Sequence, residues 1–227
     1  MTLGPTTILV YPYPMVLIAV LAMGWQRPPA DSVLKSAVSR LQKLKSLSMK
    51  VMHHADFMAD TKDSTDTIAW LAPRKFEIVS NKDSIPKLSC DGKKLTTYIP
   101  QVTPISEGLN MEFGRTKSWE SRGGIVLSIL MRGPLVDQWL HPDKVIKTTF
   151  EYGKTLHWHD AEVSEIIETM SVRGSVVKIS YYLSANHEHF VGTEVSAGPE
   201  SSWTQFSDWV ENPPLRATLG SIGSHER

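Results

Sequence analysis

Two histidine pairs carry the most chemical potential in this chain: His157-Trp158-His159 and His187-Glu188-His189 each place imidazoles at i and i+2. On an extended strand alternate side chains share a face, so either spacing suits Zn²⁺ or Cu²⁺. Both pairs lie beside turn signals, where solvated histidines at strand ends are the plainer reading, and no resident metal is expected. His53-His54 falls in a strand-like segment with its rings on opposite faces, so at most one of them can join such a site. The carboxylates Asp160, Glu162, Glu165 and Glu168 recur at strand spacing, as acids do on a solvated sheet face. Motifs for hydrolysis and phosphate handling are missing from the sequence. There is no G-x-S-x-G, since Gly220-Ser221-Ile222-Gly223 breaks the pattern, no H-E-x-x-H and no phosphate-cradling glycine loop. Catalysis is unsupported, and no cofactor is implied.

Composition narrows the function classes further. Lys and Arg total 24 against 24 Asp and Glu, a formal net charge of zero, so the basic footprint of a nucleic-acid binder is absent. With 227 residues, 41% of them hydrophobic, one large mainly-β domain with a substantial core is expected. Cys90 is the sole cysteine, which rules out an intramolecular disulfide and a cysteine-based zinc cluster. It lies too far along the chain to be the acylated cysteine of a bacterial lipoprotein, and its strand-like setting reads as a small buried apolar group. The stretch Met15 to Trp25 has the length of a signal-peptide apolar region and is short of the ~20 residues of a membrane span. Ala22-Met23-Gly24 offers small residues for cleavage, whereas Met1 to Pro14 lacks Lys and Arg, and Pro5, Pro12 and Pro14 would break an upstream helix. A cleaved export segment is the working expectation, with an uncleaved anchor and a misplaced start as alternatives. Residues 1–30 are accordingly read as export segment plus linker, 31–215 as the folded domain and 216–227 as a disordered tail.

The elements that must position any site follow from periodicity. Asp31 or Ser32 is expected to cap a helix with Leu34, Ala37, Val38, Leu41 and Leu44 on one face. From Leu47 the period switches to two: Leu47, Met49, Val51, His53, Ala55 and Phe57 alternate with Ser48, Lys50, Met52, His54 and Asp56. Residues 60–66 read as a polar turn, and Thr67 to Leu71 as a returning strand ended by Pro73. Strands are expected at Lys75 to Ser80, Lys87 to Cys90 and Lys94 to Ile99, the last two joined at Asp91-Gly92 by a type I′ turn. Ser106 to Gly124 reads as a loop over the sheet. Ile125 to Met131 is an apolar run that periodicity leaves open between helix and buried strand, and Leu135 to Leu140 a second short helical piece. Five more strands follow, at Val145 to Tyr152, Ala161 to Val172, Ser175 to Leu183, His189 to Ser196 and Trp203 to Val210. Gly153-Lys154 is among the turn signals between them. No internal repeat is present.

Set in this order, the export segment, amphipathic helix, long first strand, the phrase P-R-K-F-E-I from Pro73 and D-G-K-K-L-T-T-Y-I-P from Asp91 resemble the superfamily of bacterial periplasmic lipoprotein carriers typified by LolA. Tyr181 to Gly192 is similar to that family's strand, turn, strand pair, and Trp209 to Leu215 to its closing strand. The family's usual Leu-Pro in a late strand is replaced by Ser184-Ala185-Asn186-His187. The resemblance implies a half-open, strongly curved antiparallel sheet covered by a few helices around an apolar cavity that accepts acyl chains. Inward positions expected to line it are Met49, Val51, Phe57, Trp70, Phe76, Ile78, Leu127, Leu130, Trp139, Ile179 and Tyr181, with methionines 49, 52, 58, 131 and 170 as an adaptable lining. The function expected is a monomeric, non-enzymatic periplasmic carrier or sensor of a lipid or acylated protein. The alternatives are an envelope interaction module with a filled core, binding a membrane-associated protein, and a hydrolase or metal-binding protein on the same scaffold.

Overall fold

The computed structural model describes residues 27–57, 60–82, 87–98, 105–108, 117–132, 147–172, 175–197 and 200–214. The three- and four-residue apolar spacing produces helix α1, Ala30–Gln42, which buries Ala30, Val33, Leu34, Ala37, Val38 and Leu41. The expected cap at Asp31 or Ser32 is not used. Pro29 holds the N-cap position with extended backbone and no side-chain cap. Asp31 instead pairs with Lys35 at 3.0 Å, its charge lying in the first turn, where the helix dipole favours an anion.

Strands β1 (Ser46–Phe57), β2 (Asp60–Leu71), β3 (Lys75–Ser80), β4 (Lys87–Asp91), β5 (Lys94–Tyr98) and β6 (Ile105–Gly108) follow, then helix α2 (Lys117–Arg132). The second half comprises β7 (Lys147–Trp158), β8 (Ala161–Val172), β9 (Ser175–Ser184), β10 (Phe190–Ala197) and β11 (Glu200–Glu211). They form one antiparallel sheet of 11 strands in the order β6-β5-β4-β3-β2-β1-β11-β10-β9-β8-β7. Each half is a meander. The two halves join where β1 pairs with β11, from Leu47↔Glu211 to Asp56↔Ser201.

Several local readings change in this context. Residues 60–66 are strand, because β1 pairs with them out to Phe57↔Asp60 and the ladder overrides their polar composition. Gly153-Lys154 is a bulge within β7, where the register with β8 shifts between Tyr152 and Thr155. The paired positive φ angles of a type I′ turn occur at His159 (44°) and Asp160 (67°), whereas at the β4–β5 turn Gly92 (97°) alone is positive. There the Asp91 carboxylate accepts the Lys93 and Lys94 N–H groups at 2.7 and 2.8 Å. The loop expected over Ser106 to Gly124 contains part of β6 and the start of α2, and Ile125 to Met131 is helical. Gly124 interrupts α2 with φ 56°, and a Cβ there would lie 3.1 Å from Phe206 and Thr204. Glycine thus lets the helix turn and lie close on β11. Leu135 to Leu140, the apolar N-terminus and the tail from Arg216 lie outside the described residues.

The sheet must curve. Laid flat, eleven strands about 4.8 Å apart would span roughly 50 Å, against a helix width of about 10–12 Å. Yet side chains from β3, β4 and β5 share one core with side chains from β8, β9 and β10, together with both helices. Helix α1 packs on β7 and β8, α2 on β1, β3 and β10, and the helices touch each other. Among the described residues no helix is long and apolar enough to cross a membrane.

On the opposite, outer face the β7–β8 hairpin tip folds back over the sheet. Trp158 stacks on Tyr182 with ring centroids 4.4 Å apart, in a small satellite cluster with Val163 and Val191. A Cβ on Gly192 would fall 2.2 Å from the Trp158 ring and 2.7 Å from the Thr204 carbonyl oxygen, so this seat requires glycine. Gly192→Ala should lower unfolding free energy by about 1–3 kcal/mol in urea titrations followed by tryptophan fluorescence; an unchanged midpoint would contradict this seating.

Candidate ligand-binding interior

Alternation in β1 and β2 sends Leu47, Met49, Val51, Ile68 and Trp70 to the helix side, and β3 adds Phe76 and Ile78. From the other half come Ile166, Tyr181, Leu183, Phe190 and Phe206, and α2 contributes Val126, Leu127, Ile129, Leu130 and Met131. All of these belong to one core cluster with α1. Of the residues expected to line a hollow, Met49, Val51, Trp70, Phe76, Ile78, Leu127, Leu130 and Tyr181 are therefore brought together, none more than 4% exposed. Ile179 packs against them half-buried. Phe57 has its side chain, and Trp139 its whole placement, outside the described residues, as has Met58. Met131 is buried with Met49, whereas Met52 is 41% exposed on the outer face, one position out of phase with Met49. Cys90 is buried as expected, and burial pushes its thiol pKa up.

Sequence reasoning missed three polar features of this interior. Arg122 of α2 donates to both carboxylate oxygens of Asp66 on β2, at 3.0 and 2.7 Å, with the two side chains 12% and 2% exposed. This bidentate pair ties the N-terminal half of α2 to the sheet. Its signal in the sequence was slight: Asp66 sits in phase with Ile68 and Trp70, an acid on the apolar alternation. The second feature is Glu168, 2% exposed, whose Oε2 accepts the Tyr181 hydroxyl at 2.6 Å. Burial pushes the Glu168 carboxyl above its ordinary pKa, opposed by the hydrogen bond from Tyr181. Burial and the neighbouring carboxylate together raise the Tyr181 hydroxyl. Third, the Trp70 Nε1–H and the Thr148 Oγ1 are buried with no hydrogen-bond partner among the described residues.

The histidine pairs do not assemble as strand-face ligands. His157 is exposed near the end of β7 and His159 lies in the tight turn. His187 has φ 58° in the β9–β10 turn, where the Ser184 hydroxyl accepts the Glu188 and His189 N–H groups at 3.1 and 3.2 Å. His189 stacks on Trp209 at 5.6 Å, and burial lowers its pKa. In both segments the backbone turns, which removes the alternation that the ligand spacing needed. His53 and His54 do take opposite faces: His53 Nδ1 lies 3.0 Å from Thr204 Oγ1, and His54 stacks on Trp203 at 5.1 Å on the outer face. Among the described residues, no three or more His, Cys, Asp or Glu side chains converge as a metal site would require.

No family model and no curated protein matches the chain. Among solved structures, it is similar to lipoprotein LppX of Mycobacterium tuberculosis, at 13% identity over 82% of this chain and 96% of that one, with a TM-score of 0.45. It is similar to LprF of Mycobacterium bovis at 11% identity over 83% and 97%, with a TM-score of 0.47. A LolA superfamily protein of Nitrosomonas europaea gives 11% identity over 85% and 98%, with a TM-score of 0.39. Identities this low leave function to be argued from this chain's own residues.

Two outcomes follow for the interior. Arg122→Met strands Asp66 as a buried charge and should destabilise by about 3–5 kcal/mol, whereas the double variant Asp66→Asn, Arg122→Met should recover much of that loss in a denaturant-melt double-mutant cycle. Glu168 has a folded-state pKa raised above its ordinary value of 4.5. The folded state therefore binds its proton more tightly than the unfolded chain, and this contribution to stability, full below that value, is lost as pH rises through the raised pKa. Glu168→Gln should flatten that part of the stability profile; an unaltered slope would exclude Glu168 as its source.

Proposed function

We propose that this chain is a monomeric, non-enzymatic carrier or sensor of the bacterial envelope that takes a lipid or acyl group between the inner face of its curved sheet and the helices on it. One observation carries the reading. A single apolar face, built by strands from both halves of an open sheet, is covered by two helices, and α2 is fastened by a discrete polar clamp and turns at a glycine. A sheet closed on itself with a solid plug would have no comparable seam. Val126, Leu127, Ile129, Leu130 and Met131 of α2 are buried on this face, and they are the side chains that an entering alkyl chain would have to displace.

The energetics fit reversible capture. Ten methylenes contribute about 8 kcal/mol gross against association costs of about 4–15 kcal/mol, so one short chain is held weakly and a two-chain anchor, with about twice the methylenes, is the cargo that suits reversible binding. The buried Trp70 Nε1–H, without a partner among the described residues, suits the carbonyl of an ester or amide. The apolar segment from Met15 to Trp25 supports an envelope location, and the balanced charge supports a partner recognised by apolar area.

Titration with cis-parinaric acid tests this reading. Saturable fluorescence enhancement at one site per chain, reversed by palmitate, is the expected result. Folded protein that neither binds the probe nor retains lipid in native mass spectrometry would overturn it.

A further inference from the structure

The folded-back hairpin tip does more than cover the outer face. Its rings continue a chain of aromatic contacts: Trp158 meets Trp203 edge-on at 6.1 Å, His159 lies 4.4 Å from Trp203, and His54 stacks on Trp203 at 5.1 Å with 14° between planes. Gln205 donates to the His159 carbonyl oxygen at 3.3 Å, strapping the tip to β11. Beside these rings runs an open groove of about 410 Å³, whose other side carries Asp63, Asn81 and Lys82. The polar groups are also held in position. Asp63 Oδ1 lies 2.6 Å from His54 Nδ1, and the Lys82 ammonium donates to the Asp63 carbonyl oxygen at 2.6 Å.

We propose that this groove binds a neutral saccharide, independently of any cargo on the inner face. A pyranose ring presents polarised C–H bonds on its faces and hydroxyls around its rim. His54 and His159 cover part of the Trp203 ring, so the C–H bonds suit the ring surface that this stack leaves facing the groove. The hydroxyls need donors and acceptors together, which the second carboxylate oxygen of Asp63, the Asn81 amide and the remaining protons of Lys82 supply. With its two histidines neutral, the groove's Asp63 and Lys82 cancel in charge, which favours an uncharged ligand over phosphates and cations. Its openness suits a segment of a longer chain, and the rings and polar groups are preorganised by one another before a ligand arrives.

Titration of the full chain with cellotetraose, maltotetraose and chitotetraose, followed by tryptophan fluorescence and calorimetry, tests the site. At least one should bind saturably. Trp203→Ala should weaken it by about tenfold or more, and the exposed substitutions Lys82→Ala and Asp63→Asn should each weaken it several-fold without changing the circular dichroism spectrum. Absence of saturation by all three at millimolar concentration would overturn the proposal. So would binding that survives both exposed substitutions, or a groove that takes adenosine in preference to every saccharide.

Discussion

The pairing of β1 with β11 is the constraint on which the rest of this architecture depends. All the other pairings join strands adjacent in sequence, and a meander of that kind can form on either side of the molecule alone. Among the described strands, β1·β11 alone joins the two meanders into one surface, across some of the largest sequence separations in the chain. Its end is locked by Asn212, at φ 50°. The Asn212 side-chain oxygen accepts the Lys45 and Ser46 N–H groups at 2.8 and 3.3 Å, while its own N–H donates to the Ser46 carbonyl at 2.9 Å. This contact closes the longest loop in the fold, and its entropy cost is met by the apolar face that it makes continuous.

Joining the halves gives the sheet two faces with different characters. The inner face is large, apolar and shared by both meanders, and its two buried carboxylates, Asp66 and Glu168, are each paired. Asp66 with Arg122 locates α2, and Glu168 with Tyr181 sits within the second half. Neither pair is needed to drive burial, since replacing a buried ion pair by hydrocarbon is often neutral or favourable. What the Arg122 clamp adds is a defined position for a helix that otherwise rests on interchangeable apolar contacts. The outer face is more polar, although Met52 and Val79 are exposed on it, and the β7–β8 tip lies over it at Tyr182, Gly192 and Trp203.

The alternation in β1 and the helical stripe from Leu34 to Leu41 were legible because each needs only one apolar neighbour to be satisfied, whatever that neighbour is. So were β3, β8 and the antiparallel order of the short strands, whose turns are local. Two readings failed because a local preference was overruled by a paired strand: Asp60 to Asp66 is polar enough for a turn until β1 pairs with it, and Gly153-Lys154 is a turn signal until β8 continues past it and leaves a bulge. The cap at Asp31 or Ser32 and the type I′ turn at Asp91-Gly92 failed on local backbone geometry instead. Ile125 to Met131, which periodicity leaves open between helix and strand, is a helix packed on β1, β3 and β10.

The sequence by itself determined the secondary-structure periods, the antiparallel hairpins, the apolar membership of the core and the absence of recognisable catalytic motifs, because these depend on side-chain chemistry and near neighbours. Only the tertiary structure decided which acid meets Arg122, that Glu168 lies buried against Tyr181, and that Trp158, His159, Trp203 and His54 form one line of rings. Those facts depend on the β1–β11 register and the curvature of the whole sheet. Both are set by the summed packing of two helices and eleven strands, a quantity that no short stretch of residues contains.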